Sequence, residues 1–384
     1  MSAIERAVLK EIQEYNKPGK VLILLGARRV GKTYLLKQII SQLNETETLI
    51  LNGEDQKTID RLTVRSVENF RTLLGNVKYL IIDEAQNIPD IGSKLKLMVD
   101  EIPDLHIIVT GSSMFELNNK LGEPLVGRSK VIQMFPFAQL EYQNHENVIE
   151  TDARLEQRLI CGSYPELIHL SGDEEKIDYL EGLVNSYLFK DILAYDGIKK
   201  ADKIIDLLRL IAFQIGGEVS MDELANNLKG VSRNTIESYL DLLSKVFVIY
   251  PLRGFSRNLR KEISKSSRWY FYDNGIRNAI IRNYNSLNLR NDHGQLWENY
   301  LMSERLKANA YLKRRVNTYF WRTYDQQEID LVEESGTQLA AFEFKWNKSK
   351  VKVPTAWKNN YSEATFEVIN TENYLNFVVG RELK

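Results

Sequence analysis

The sequence predicts an α/β chain in which a parallel sheet carries a phosphate-binding loop. A helical connector, a winged helix-turn-helix and a smaller α/β domain are expected to follow. Three observations lead there. Between residues 20 and about 140, short apolar runs alternate with helical stretches, the pattern of a parallel sheet with crossover helices. The first run, Val21–Leu25, opens directly into Gly26-Ala27-Arg28-Arg29-Val30-Gly31-Lys32-Thr33. A later run, Leu80-Ile81-Ile82, ends in the adjacent carboxylates Asp83 and Glu84.

Bulk properties bound the answer before any motif does. A chain of 384 residues is long for one core and predicts two or three domains. With 43% hydrophobic and 27% charged residues it has the composition of a globular protein. A formal net charge of −1 excludes a polycation that coats nucleic acid indiscriminately, so any nucleic-acid surface must come from local clustering. The single cysteine, Cys161, excludes an intramolecular disulfide and a cysteine-rich zinc site. The start, Met1-Ser2-Ala3-Ile4-Glu5-Arg6, lacks the apolar stretch of a secretory leader. No apolar run approaches the ~20 residues that span a bilayer. A cytoplasmic protein without membrane contact is the expectation.

Taken in order, the expected strands of the first domain are Val21–Leu25, Thr48–Leu51, Tyr79–Ile82, Ile107–Thr110 and Val131–Met134. From about 141 to 215 the chain reads as helical, with apolar residues such as Leu183, Tyr187, Leu188 and Ile192 three and four apart. Met221–Leu228 and Ser232–Lys245 read as two helices separated by Lys229-Gly230-Val231, followed by extended residues through Tyr272. After the polar stretch Asn283–Asp292, a helix over Leu296–Lys307 precedes three strands, Asn317–Tyr324, Glu328–Glu333 and Gln338–Trp346.

The segment Gly26–Thr33 fits the pattern G-x-x-x-x-G-K-[ST] in the setting that gives it physical sense, strand before and helix after. Backbone N–H groups at a helix N-terminus, unobstructed at the glycines, cradle a polyanion. The candidate nucleotide-binding set is Gly26, Ala27, Arg28, Arg29, Val30, Gly31, Lys32, Thr33 and the following Tyr34. Lys32 would reach the β- and γ-phosphates, and Thr33 would place its hydroxyl on Mg²⁺. Asp83 would hold the same Mg²⁺ through water, and Glu84 would orient and polarise the attacking water. A polar side chain after Ile107–Thr110 would sense the γ-phosphate; Ser112 is favoured, with Thr110 and Ser113 close behind. Arg128 is a candidate for stabilising transition-state charge, in its own subunit or on a neighbour.

These residues resemble the AAA-like ATPases of the P-loop superfamily, in particular a prokaryotic subfamily with a carboxy-terminal half of unknown function. The resemblance rests on Gly26–Thr33, Leu80–Gln86, Val109–Ser113 and Leu125–Arg128 followed by Phe135-Pro136-Phe137. It extends to Gly162-Ser163-Tyr164-Pro165-Glu166 and Tyr187–Leu193, which includes Lys190-Asp191-Ile192, and so covers nearly the whole chain. It implies ATP binding and hydrolysis with ATP and Mg as cofactors, and no settled biological role. Homo-oligomer formation is a further expectation.

The helix pair looks like a winged helix-turn-helix, with Ser232 as N-cap of the second helix. Thr235, Tyr239, Leu242 and Leu243 are spaced to divide that helix into buried and exposed faces. Arg233 and Asn234 at its N-terminal end would meet base edges first in a major groove. Arg253, Arg257, Arg260, Lys261, Lys265 and Arg268, against the lone acid Glu262, would track phosphates, with Phe255 packed beneath them. DNA is the partner this implies; a protein-docking winged helix is the alternative.

Near the C-terminus, Glu328-Ile329-Asp330 and Phe342-Glu343-Phe344-Lys345 flank the turn Glu334-Ser335-Gly336-Thr337 and should pair as a hairpin. Alternation sets Glu343 and Lys345 on one face with Asp330 in diagonal reach. Glu298, on the preceding helix, would add a carboxylate. Asp330 and Glu343 would bind a divalent cation while Lys345 positions water. This arrangement resembles the restriction-endonuclease-like superfamily, an acid on one strand and E-x-K on the next; an inactive relative of that fold is the alternative. The expected domains are thus an ATPase core over 1–140, a helical lid or connector over 141–215, a winged helix over 216–275 and a restriction-endonuclease-like domain over 276–384. The leading expectation is a Mg²⁺-dependent ATPase coupled to a DNA-directed C-terminal half, a winged helix with a candidate nuclease site. The runner-up is an ATP-switched regulatory or scaffold protein.

Overall fold

The computed structural model describes residues 4–112, 125–188, 192, 201–256 and 267–380. The described residues are α/β, with two sheets. The first holds β1 (Val21–Leu25), β2 (Thr48–Asn52), β3 (Tyr79–Asp83), β4 (His106–Gly111) and β5 (Ser129–Gln133), in the order β2-β3-β4-β1-β5. Every pairing in it is parallel. The reason lies in composition: β1 is buried along its whole length, as are Leu80–Ile82 and Ile107–Thr110, because helices cover both faces.

Contacts divide the chain into two compact units, Met1–Phe135 with Lys245–Phe247, and Pro136–Ser244 with Val248–Lys384. The second unit carries a seven-stranded sheet. Its strands are β6 (Glu218–Val219), β7 (Ile249–Gly254), β8 (Ser267–Phe271), β9 (Asn317–Arg322), β10 (Glu328–Ser335), β11 (Gln338–Phe344) and β12 (Thr365–Ile369). They run in the order β12-β11-β10-β9-β7-β8-β6. β10 and β11 form the expected hairpin, with Leu331 opposite Phe342. β12 joins β11 in parallel and was not among the expected strands. The two strands after the helix pair, β7 and β8, do not form a sheet of their own. β7 pairs in parallel with β9, Arg253 beside Tyr319 and Gly254 beside Phe320, so the stretches 216–275 and 276–384 share one sheet.

The helix His293–Tyr311 lies against this sheet, with Trp297, Tyr300 and Leu301 buried among Tyr270, Phe320, Phe344 and Phe377. A second lock joins the helices Val148–Cys161 and Asn274–Ile281. Asn278 donates to the carbonyls of Leu159 and Ile160, which a helix C-terminus leaves unpaired. The buried Asp273 caps the second helix and also accepts from the Ser163 N–H at 2.8 Å. Gly162 has φ +76°, and a Cβ there would lie 2.0 Å from Asp273 Oδ1. The glycine of Gly162-Ser163-Tyr164-Pro165-Glu166 is therefore required by packing. Among the described residues, no helix is long and apolar enough to cross a membrane.

Candidate functional sites

In the first unit, parallel register brings three strand ends to one edge. Leu25 lies beside Gly111, and β3 runs alongside β4 with Ile82 next to Val109. The Gly26–Thr33 loop, Asp83-Glu84 and Ser112 thus share the carboxyl edge of the sheet, where open α/β folds bind ligands. Gly31 has φ +95° and starts the helix Lys32–Ile40. A Cβ on Gly26 would lie 2.2 Å from the Met134 carbonyl, so only glycine permits the loop to pass there. Lys32 is buried and donates to the carbonyls of Gly26 and Ala27 at 2.8 and 3.0 Å. Val30 is buried, Ala27 and Arg28 partly so, and Arg29, Thr33 and Tyr34 are exposed.

The carboxylates are tied to this loop by hydrogen bonds. Thr33 Oγ1 donates to Asp83 Oδ2 at 2.9 Å. The Thr110 hydroxyl donates to the other Asp83 oxygen and accepts from the Glu84 N–H at 3.0 Å. Glu84 takes φ +50°, an uncommon value for a residue with a side chain. Gln86 donates to Glu84 Oε2 at 2.5 Å and to Ser112 Oγ at 3.2 Å. Ser112 therefore reaches Glu84 through Gln86, and Thr110 braces Asp83. Ser113 lies outside the described residues.

Three contributors had no role assigned from sequence. Gln86 was visible only as part of Asp83-Glu84-Ala85-Gln86. A Cβ on Gly53 would meet the Glu84 carbonyl at 2.2 Å. The buried Arg6 donates to the carbonyls of Val30 and Phe135, both at 2.6 Å, bracing the loop from behind. An isolated arginine near the start of a chain carries no sequence signal of that kind.

Arg128 is not brought to this edge. It precedes β5, whose first residue Ser129 lies beside Val21, the start of β1. In a parallel sheet the starts of strands lie at the edge opposite the loop. Arg128 there ion-pairs with Asp100 at 2.6 Å and is part exposed. It does not meet the nucleotide set of its own subunit.

In the second unit, Ser232 caps the helix Arg233–Lys245, accepting from the Thr235 N–H at 3.2 Å. Arg233 and Asn234 are exposed, Arg233 pairing with Glu237 at 3.1 Å, and Tyr239, Leu242 and Leu243 are buried. The basic stretch after it divides. Arg253 is exposed; Arg257, Arg260, Lys261, Glu262 and Lys265 lie outside the described residues, as do Lys190, Asp191 and Leu193. Arg268 corrects the expectation: it is only 5% exposed and points at carboxylates. Phe255 is buried among the rings of Tyr319, Trp357 and Tyr361.

The carboxylate set does converge. Relative to β9, the register of β10 shifts between Ile329 and Val332, the stretch that carries Asp330. Asp330 Oδ2 accepts from the Phe344 N–H at 2.8 Å, Lys345 pairs with Glu343 at 2.7 Å, and Tyr270 donates to Glu298 at 2.7 Å. Burial, with Asp330 nearby, pushes the Glu298 carboxyl up to about 8. Burial likewise raises Asp330 and Glu343, and their acid neighbours add to it for Glu343. The Arg268 guanidinium stands between the acids, 2.8 Å from Glu328, 3.6 Å from Asp330 and 3.8 Å from Glu298. Among the described residues, no group of three or more His, Cys, Asp or Glu side chains is arranged to hold a metal ion. The residues do not fit the divalent cation that the restriction-endonuclease-like resemblance implies, because a cationic side chain occupies the approach to Asp330 and Glu298.

Residues 18–143 match an AAA domain model, residues 152–288 a domain of unknown function (DUF8612) and residues 293–373 another (DUF4143). An uncharacterized protein of Methanocaldococcus jannaschii is 25% identical over 344 residues, covering 85% of this chain and 75% of its own. One of Haemophilus influenzae is 23% identical over 382 residues, covering 92% and 90%. One of Mycobacterium tuberculosis is 26% identical over 330 residues, covering 85% and 70%. Domain III of the replication initiation protein DnaA from Thermotoga maritima aligns at 19% identity, covering 58% of this chain and 90% of that one. The TM-score of that alignment is 0.30.

Proposed function

We propose that the first unit binds and hydrolyses ATP and that its nucleotide state governs a DNA-directed second unit. One observation carries the ATPase reading: a continuous hydrogen-bonded chain, Thr33–Asp83–Thr110–Glu84 and on through Gln86 to Ser112, beside the Gly26–Thr33 loop. The match of residues 18–143 to an AAA domain supports it. Lys32 neutralises charge on the β- and γ-phosphates. Glu84 orients the attacking water and accepts its proton. Gln86 holds the Glu84 carboxylate and reports its position to Ser112. The paired Thr33 hydroxyl and Asp83 carboxylate suit Mg²⁺, a hard cation that favours oxygen ligands and, when bound, offsets phosphate charge. Arg128, at the opposite sheet edge, serves only the nucleotide of a neighbouring subunit in a homo-oligomer.

The DNA-directed part rests on the exposed N-terminal end of the helix Arg233–Lys245, read as the second helix of a winged helix, and on the cations at 253–265. A second reading draws on Arg268: the nuclease-like fold does not cut, and the chain is an ATP-switched regulatory protein.

Steady-state hydrolysis with and without duplex or branched DNA, across protein concentrations, tests these readings. The proposal expects hydrolysis that Lys32→Ala abolishes and that DNA stimulates. A wild-type rate indifferent to every DNA favours protein docking, and no hydrolysis at any concentration removes the ATPase reading. DNA incubated with Mg²⁺ or Mn²⁺ should remain intact with wild type and with Lys345→Ala alike; cutting by wild type alone restores the nuclease.

A further inference from the structure

Arg268 belongs to β8, where it lies next to Leu252 of β7 and Glu218 of β6. Its guanidinium stacks 4.8 Å over the Phe320 ring and ends among acids from two other elements, Glu298 on the helix His293–Tyr311 and Glu328 and Asp330 on β10. The Nε is buried without a hydrogen-bond partner, so the side chain is held by its charged end and by the ring beneath it. Glu343, also buried, keeps one carboxylate oxygen, Oε2, without a partner. Beside this group an open pocket of about 370 Å³, lined by Gln214, Gly216, Glu218, Glu223, Gln295 and Glu298, brings solvent to the Glu298 side of the cluster.

We propose that Arg268 is a built-in cation that occupies the place of a divalent metal in this carboxylate pocket and keeps Mg²⁺ and Mn²⁺ out of it. The argument is one of charge and space. Two buried carboxyls, Asp330 and Glu343, lie here with the part-buried Glu298 and the exposed Glu328, and a carboxylate kept from water calls for a counter-cation, because an unpaired buried charge is costly. Lys345 answers one of them, Glu343. The guanidinium answers the other three at once, as a planar, permanently charged donor can. A divalent ion at Asp330 would stand within a few ångströms of that fixed positive charge, and like charges at that range in a shielded site repel strongly. Guanidinium and metal therefore exclude one another. Removing the guanidinium converts the pocket into a set of oxygen ligands that a hard cation takes.

The test is Mn²⁺ binding by the full chain without nucleotide, followed by electron paramagnetic resonance and by titration calorimetry. Wild type should take up no Mn²⁺ that depends on Asp330, shown by identical isotherms for wild type and Asp330→Asn. Arg268→Gln should gain one Mn²⁺ equivalent, at least tenfold tighter than any wild-type uptake, and Arg268→Gln with Asp330→Asn should lose it. Arg268→Lys, which keeps a cation in place, should stay closed. Metal uptake by wild type that Asp330→Asn abolishes overturns the proposal whether or not any Arg268 variant folds. So does an Arg268→Gln protein with native circular dichroism that gains no Mn²⁺.

Discussion

Glu84 shows how much of the candidate chemistry depends on neighbours one bond removed. Its backbone is held by Thr110 and its carboxylate by Gln86, while Gly53 leaves room for its carbonyl. Glu84→Gln should lower kcat by about 10²–10⁴ while ATP still binds, since only the base is lost. Gln86→Ala should lower kcat about tenfold and leave the ATP dissociation constant within about threefold, the pattern of a positioning residue. A Gln86→Ala enzyme with unchanged kcat would remove Gln86 from the account. Glu298 offers a test by pH. Its carboxyl titrates at about 8 when folded against 4.5 when exposed, so the folded state favours the protonated form. The stability this contributes is complete below the unfolded value and is lost as pH rises through the folded one. Glu298→Gln should flatten the decline in melting temperature between those two pH values; an unchanged profile contradicts the assignment.

At the scale of elements, the first sheet was readable because its central strands β3, β4 and β1 are buried and write themselves as apolar runs. All five expected strands match the observed ones to within two residues at either end. The Asp330, Glu343 and Lys345 arrangement was readable too, from alternation across a hairpin. Arg268 was not. From sequence it is one more cation in a basic stretch, and only the packing of β8 beside the helix carrying Glu298 turns it inward. That Arg128 stays away from the nucleotide set of its own subunit was unreadable for a related reason: its place depends on which end of a parallel strand it flanks, which composition does not record. β12 was missed because only its last residue, Ile369, is fully buried, so Thr365–Ile369 shows no clear alternation. The Gly162–Asp273 lock makes a prediction at this scale. Gly162→Ala imposes a positive φ and a clash with Asp273, and should cost at least ~3 kcal/mol by denaturant unfolding. Ser163→Ala keeps the N–H that Asp273 accepts and should cost within ~1 kcal/mol.

For the whole molecule, a net charge of −1 means that any affinity for DNA is a local property. With Arg268 turned inward, the stretch from 253 to 265 retains Arg253, Arg257, Arg260, Lys261 and Lys265. If each neutralises one phosphate, the logarithm of DNA affinity should fall against the logarithm of salt with a slope of about −4 to −5. A flat salt response would point to protein docking by this face, and a much steeper one to a larger basic surface.

The parallel pairing of β7 with β9 bears on how this protein came to be built. The segment matching one uncharacterised family ends at residue 288 and the segment matching the next begins at residue 293, yet the strands of both lie in one sheet. A gene break between them would leave β9 with a bare edge, the kind of surface that recruits other chains into aggregates. Recombination could separate the two only by first inventing a new edge for each. Under that constraint the two segments gain from staying in one chain, and what sequence comparison counts as two modules is, in the sheet, one structural unit.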